Sequence, residues 1–143
     1  MEWKQTGKLY LWRYLENTRN YSGWNIAFNR ECRESMMSLV SKILKNRVAS
    51  IDILKISKPT RKVLRIPNNM HGKAKWESPS RLIFVYNGEN SQDWSIIFER
   101  GIMVWVLGLK YLKEVCRVFK KPYDYFDDAV GYGPCVWVWG VTD

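Results

Sequence analysis

The one histidine of this sequence, His71, lies in the stretch NNMHGKAKWE with Lys73, Lys75 and Glu77 close behind it. An imidazole that titrates near neutrality, set beside two ammonium groups and a carboxylate, is the raw material of general acid–base cleavage of a phosphodiester. That chemistry would make the chain a nuclease-like enzyme centred on His71. The simpler account is a turn, because Asn68, Asn69 and Gly72 favour one and a lone loop histidine needs no role.

A second group is acidic. Asp124, Asp127 and Asp128 stand at i, i+3 and i+4, so on a helical turn their carboxylates would crowd together and could hold a hard cation such as magnesium. Calcium loops place ligands at alternate positions around a central glycine, and that spacing is absent. A solvated turn facing the basic helix before it is the simpler account, and no cofactor is expected. Cys32, Cys116 and Cys135 are odd in number and far apart, which excludes a zinc knuckle and favours buried free thiols. Phosphate-loop glycines, a dinucleotide fingerprint, a GxSxG elbow and an HExxH pair are all missing from the sequence.

Charge and aromatic content point elsewhere. Residues 42–81 carry eleven Lys or Arg against Asp52 and Glu77, an excess equal to the +9 of the whole chain, while the segment from residue 82 onward is slightly acidic. Lys55, Lys58, Arg61, Lys62, Arg65, Lys73 and Lys75 are therefore the candidate contacts for an anionic partner. Aromatic side chains alternate on two short runs, Tyr10/Trp12/Tyr14 in LYLWRYL and Trp137/Trp139 in CVWVWG. Rings on one sheet face can stack on bases, pack in a core or seal an interface between subunits. RGIMVWVL, 100–107, departs from the K/R-G-F/Y-G/A-F-V-x-F/Y signature of RNA-recognition domains. Arg100 and Gly101 fit, but Ile102, Val104 and Leu107 occupy the positions of the stacking aromatics.

These residues must be positioned by the elements around them. The chain has 143 residues, 46% of them hydrophobic, which suits one domain with a packed core and excludes disorder. LYLWRYL reads as a strand over 8–15, and ENTRNYSGWN as a loop. Asn29 suits an N-cap, and Cys32, Met36, Leu39, Val40, Ile43 and Leu44 recur at helical spacing, which predicts a helix over about 30–46. VASIDILKIS reads as a strand, KVLRIP as a second short one, and residues 68–80 as a long loop. RLIFVY (81–86), WSIIF (94–98) and IMVWVL (102–107) read as an antiparallel meander. The first and third are apolar on both faces, so they belong in the middle of the sheet with something covering each side. A basic-faced helix over about 109–121 and a last strand at CVWVWG complete the chain.

The order expected is thus β-α-β-β-β-β-β-α-β, an α+β domain over 1–143 with two helices on a mostly antiparallel sheet. No stretch is apolar enough to span a membrane and the start has no apolar leader, so a cytoplasmic protein is expected. With so little catalytic material, the leading expectation is a non-catalytic protein that binds a macromolecular partner, as an inhibitor or immunity-type protein does. RNA or DNA binding through 42–81 is the alternative, and a homodimer is compatible with either.

Overall fold

The computed structural model describes residues 2–19, 22–67, 69–88, 90–121, 127–131 and 135–141, leaving aside the side chains of Asp127 and Asp128. The chain is an α+β protein, with two mixed sheets and three helices among the described residues. Strands β1 (Leu9–Tyr14), β2 (Trp24–Phe28), β4 (Trp76–Glu77), β8 (Asp127–Val130) and β9 (Val136–Gly140) form a five-stranded sheet of order β4-β1-β2-β9-β8. Strands β3 (Ser50–Lys55), β5 (Arg81–Tyr86), β6 (Trp94–Glu99) and β7 (Ile102–Leu107) form a four-stranded sheet of order β3-β5-β7-β6. The helices are α1 (Arg30–Asn46), α2 (Arg61–Arg65) and α3 (Leu109–Phe119).

Helix α1 forms where its pattern places it. The Asn29 side chain accepts from the Cys32 backbone N–H, Glu31 lies in the first turn, and Arg47 closes the helix in a left-handed conformation. The same Asn29 oxygen also accepts from Lys8 N at 3.0 Å, tying the helix start to the entry of β1. Gly7 is required there: at φ 76° it sits so close that a Cβ would fall 2.3 Å from Cys32 N. The buried stripes of α1 and α3 meet the inner faces of both sheets in one core, including Leu9, Leu11, Ile26 and Phe28 from one sheet and Leu82, Phe84, Met103 and Trp105 from the other.

The meander expected over 81–107 is not there. Strands β5 and β7 pair in parallel, Arg81 with Ile102 through Tyr86 with Leu107, and β6 lies outside β7 on the sheet edge. The connection explains why. After β5 the chain crosses the end of β7, where Asn87 N donates to Leu107 O at 2.9 Å and Gly108 N donates to Asp93 O at 2.9 Å. It passes so near that a Cβ on Gly108 would stand 2.0 Å from Asn90 O. Having crossed, β6 can only pair with the far edge of β7, antiparallel through the turn at Arg100–Gly101.

Two other expectations also change. KVLRIP is not a strand: Thr60 Oγ1 accepts from Val63 N at 3.2 Å and starts the single-turn helix α2. WNIAF, inside and after the expected loop, is β2, paired antiparallel to β1 and parallel to β9. Strands β5 and β7 do lie centrally in their sheet, as their two apolar faces predict.

Candidate functional site

His71 stands in a 3-10 turn, Asn69–Gly72, with Met70, His71 and Gly72 at φ 51°, 56° and 81°. The turn is held by its first residue rather than by the imidazole. Asn69 is buried and accepts from Asn17 Nδ2 at 2.9 Å, and Lys75 N donates to Glu16 Oε1 at 2.7 Å. His71 itself is exposed. Glu77, the carboxylate its chemistry would call on, forms an ion pair with Arg13 instead. That guanidinium lies 5.0 Å from the Trp24 ring and 5.2 Å from the Phe98 ring, which commits the pair to the seam between the two sheets.

Asp127 and Asp128 begin strand β8 rather than a helical turn, and Asp124 lies outside the described residues. Cys32 is fully buried, and desolvation, helped by the nearby Glu31 charge, pushes its thiol up to about 12. Burial raises the Cys135 thiol too, with its own backbone hydrogen bond opposing. Neither is an activated nucleophile.

The basic residues divide between two places. Lys55 ends β3, on the outer side of the four-stranded sheet next to Arg81. Arg61, Lys62 and Arg65 lie on α2, and Lys73 and Lys75 on the segment after it; all are exposed, as is Lys58. That segment covers the outer face of the five-stranded sheet. Tyr10, Trp12 and Tyr14 are buried beneath Val63, Leu64 and Ala74, with Ile66, Trp76 and Trp139 packed alongside. A platform for bases is thereby closed at β1.

The tryptophans of β9 share this face. Across the sheet the rows run Trp12–Asn25–Trp137 and Tyr10–Ala27–Trp139. Trp137 and Trp139 stack at 6.5 Å with rings 21° apart, and both indole N–H groups are taken: Trp137 donates to Ser22 O at 2.9 Å, Trp139 to the buried Asn25 Oδ1 at 3.1 Å. Both polar tips are thus held by the chain itself, Trp137 at the surface and Trp139 at the buried Asn25.

The four-stranded sheet is different. Its inner face is in the core, whereas its outer face has no element of the chain upon it among the described residues. Strand alternation and register set the outer rows. One is Ile53–Ile83–Val104–Ile97, the next Ile51–Val85–Val106–Ser95, and the last Lys55–Arg81–Ile102–Glu99. Eight β-branched aliphatic residues therefore form one continuous surface. On the outer strands exposure is large, 70% at Ile51, 61% at Ile53 and 51% at Ile97. The eight were not singled out in the sequence, although the two-sided apolarity of RLIFVY and IMVWVL carried the signal. Among the described residues nothing supplies the cover that those strands require on their second side.

No model of a known protein family matches the chain, and no curated protein matches it.

Proposed function

We propose that this chain works by binding another protein rather than by catalysis, and that the binding surface is the outer face of the four-stranded sheet. The observation that carries the reading is the contiguous patch Ile51, Ile53, Ile83, Val85, Ile97, Ile102, Val104 and Val106. Isolated exposed aliphatic residues are ordinary, but a contiguous patch of them across four strands, bordered at one end by charge, is the mark of an interface. Leaving such a face in water forgoes about 25 cal/mol for every Å2 of apolar surface that a partner would cover. Lys55, Arg81 and Glu99 at one end supply the polar rim that sets orientation.

The reading also fits what the chemistry-bearing residues do. His71 is an exposed turn residue whose neighbouring carboxylate, Glu77, is paired with Arg13, and burial raises the Cys32 thiol, so neither residue argues for a catalytic role. Among the described residues no helix is long and apolar enough to cross a membrane. A cytoplasmic protein that acts by occupying a partner's surface, as an inhibitor or immunity-type protein does, is the form of the proposal that the sequence favours.

The test is site-specific photo-crosslinking in the native host. A photo-reactive phenylalanine analogue at Ile53 or Ile97 is expected to yield a protein adduct of discrete mass on irradiation, and the same analogue at Lys113, on the exposed side of α3, to yield none. Silence at both sheet positions would remove the proposal.

A further inference from the structure

We infer that the occupant of the aliphatic face is a second copy of this chain, the two four-stranded sheets packing face to face about a two-fold axis. This rests on the reading of that face as a protein-binding surface and goes on to name the partner. The arrangement of charge around the patch carries the inference.

The outer face has one charged row, Lys55–Arg81–Ile102–Glu99, with the basic residues on β3 and β5 and the acidic one on β6. Two kinds of two-fold axis in the plane of contact can bring such a face against itself. An axis along the strands, midway between β5 and β7, sets β3 of one copy over β6 of the other. Lys55 then meets Glu99 of the partner subunit, while Ile53 meets the partner's Ile97 and Ile83 the partner's Val104. An axis across the strands would instead press Lys55 and Arg81 onto the partner's Ile51 and Val85, burying charge against hydrocarbon with no counter-charge. The first arrangement sets Lys55 against an opposite charge and matches the two apolar rows, leaving Arg81 over the partner's Ile102 beside that ion pair, whereas the second leaves both cations without one; the first is also self-complementary, as an isologous interface must be.

The size is adequate. Four strands about 4.8 Å apart and six residues long present a face of roughly 400 Å2 in projection, so two copies remove on the order of 1,000 Å2 of accessible surface, the threshold for a specific interface. Sheets with the native twist stack in this aligned fashion about 10 Å apart, their strands offset by roughly 30°. Pairing edge to edge is less favoured at β3. There the Gln5 side chain donates to Lys55 O at 2.9 Å and accepts from Lys55 N at 2.8 Å, closing that end of the edge.

The experiment is sedimentation velocity on the full chain across ~1–100 µM at physiological salt. The expected result is a reversible dimer of about 34 kDa, twice the 17.0 kDa chain. Ile53→Asp, which places a carboxylate against the partner's Ile97, is expected to raise the dissociation constant at least about tenfold. Its circular dichroism should match the wild type, because Ile53 touches no core. Glu99→Lys should also weaken the dimer by setting like charges opposite, and Lys55→Glu combined with Glu99→Lys should recover it. That recovery is the readout that a merely sticky surface would not give. A chain monomeric throughout the range overturns the second-copy assignment, and so does a dimer that neither Ile53→Asp nor Glu99→Lys disturbs. In either case crosslinking at Ile53 and Ile97 decides separately whether a different protein occupies the face.

Discussion

Asp52 shows how a single charge is placed against its interest. It alternates with Ile51 and Ile53 on β3, so when these two face outward its own side chain is turned toward the helix side, where burial raises its pKa and Lys42 only partly offsets the effect. The sign follows from linkage. A carboxylate whose folded pKa is raised is penalised in its charged form, so it opposes folding at neutral pH. The opposition disappears once pH falls below the ordinary carboxylate range and both states are protonated. Asp52→Asn is therefore expected to raise the melting temperature at pH 7, with the gain shrinking as pH is lowered toward 4. A gain that grows on acidification would show that the Lys42 attraction, not burial, dominates. Cys32 belongs to the same scale, a thiol so desolvated that it serves as a small apolar core group.

Helix α3 depends on another helix for its end. Its N-cap, Gly108, offers no side-chain hydrogen bond, and at the other terminus Arg33 of α1 donates from Nε to Phe119 O at 3.0 Å and from Nη2 to Lys121 O at 2.7 Å. The guanidinium fork thus satisfies carbonyls that a helix terminus leaves without partners, and its positive charge suits the negative end of the dipole. Arg33→Ala is expected to cost about 1–3 kcal/mol of stability and to speed amide exchange over residues 117–121. Arg33→Lys should restore only part, since one ammonium cannot span both carbonyls. Unchanged exchange in the alanine variant would mean that packing alone holds that end.

What could be read from the sequence follows the length and regularity of each element. α1 was legible residue by residue because it combines a cap, a first-turn acid and four turns of apolar spacing. α2 was not, since five residues make a single turn and Val63, Leu64 and Ile66 resemble a short apolar strand between prolines. β2 escaped because all five of its residues are buried, which erases alternation, and because Gly23 and Asn25 look like loop. The parallel pairing of β5 with β7 depends on a loop crossing at Gly108, a long-range fact with no local signature. For the candidate site, the basic run and the aromatic stripes were visible, but their separation was not. α2 roofs Tyr10, Trp12 and Tyr14, while the surface left open is aliphatic and belongs to the other sheet.

On the scale of the whole molecule, the two sheets turn one face each into a common core and differ in what lies outside. The five-stranded sheet has a roof of its own, α2 and the segment to Ala74, and the indole N–H groups of Trp137 and Trp139 are bonded within the chain. The four-stranded sheet has none among the described residues, and we propose that a second copy of the chain covers it when the molecule is at work. A net charge of +9 makes copies repel, so the dimer is favoured at physiological salt, where that repulsion is screened within about 8 Å. The most direct measurement is methyl-resolved NMR of the purified chain with a soluble paramagnetic agent. Leu15 and Val48, exposed at 55% and 67%, serve as bleached references. The methyl signals of Ile53 and Ile97 are predicted to bleach with them in dilute solution and to become protected as concentration rises. Bleaching of Ile53 and Ile97 alongside Leu15 and Val48 at every concentration would contradict self-association through this face.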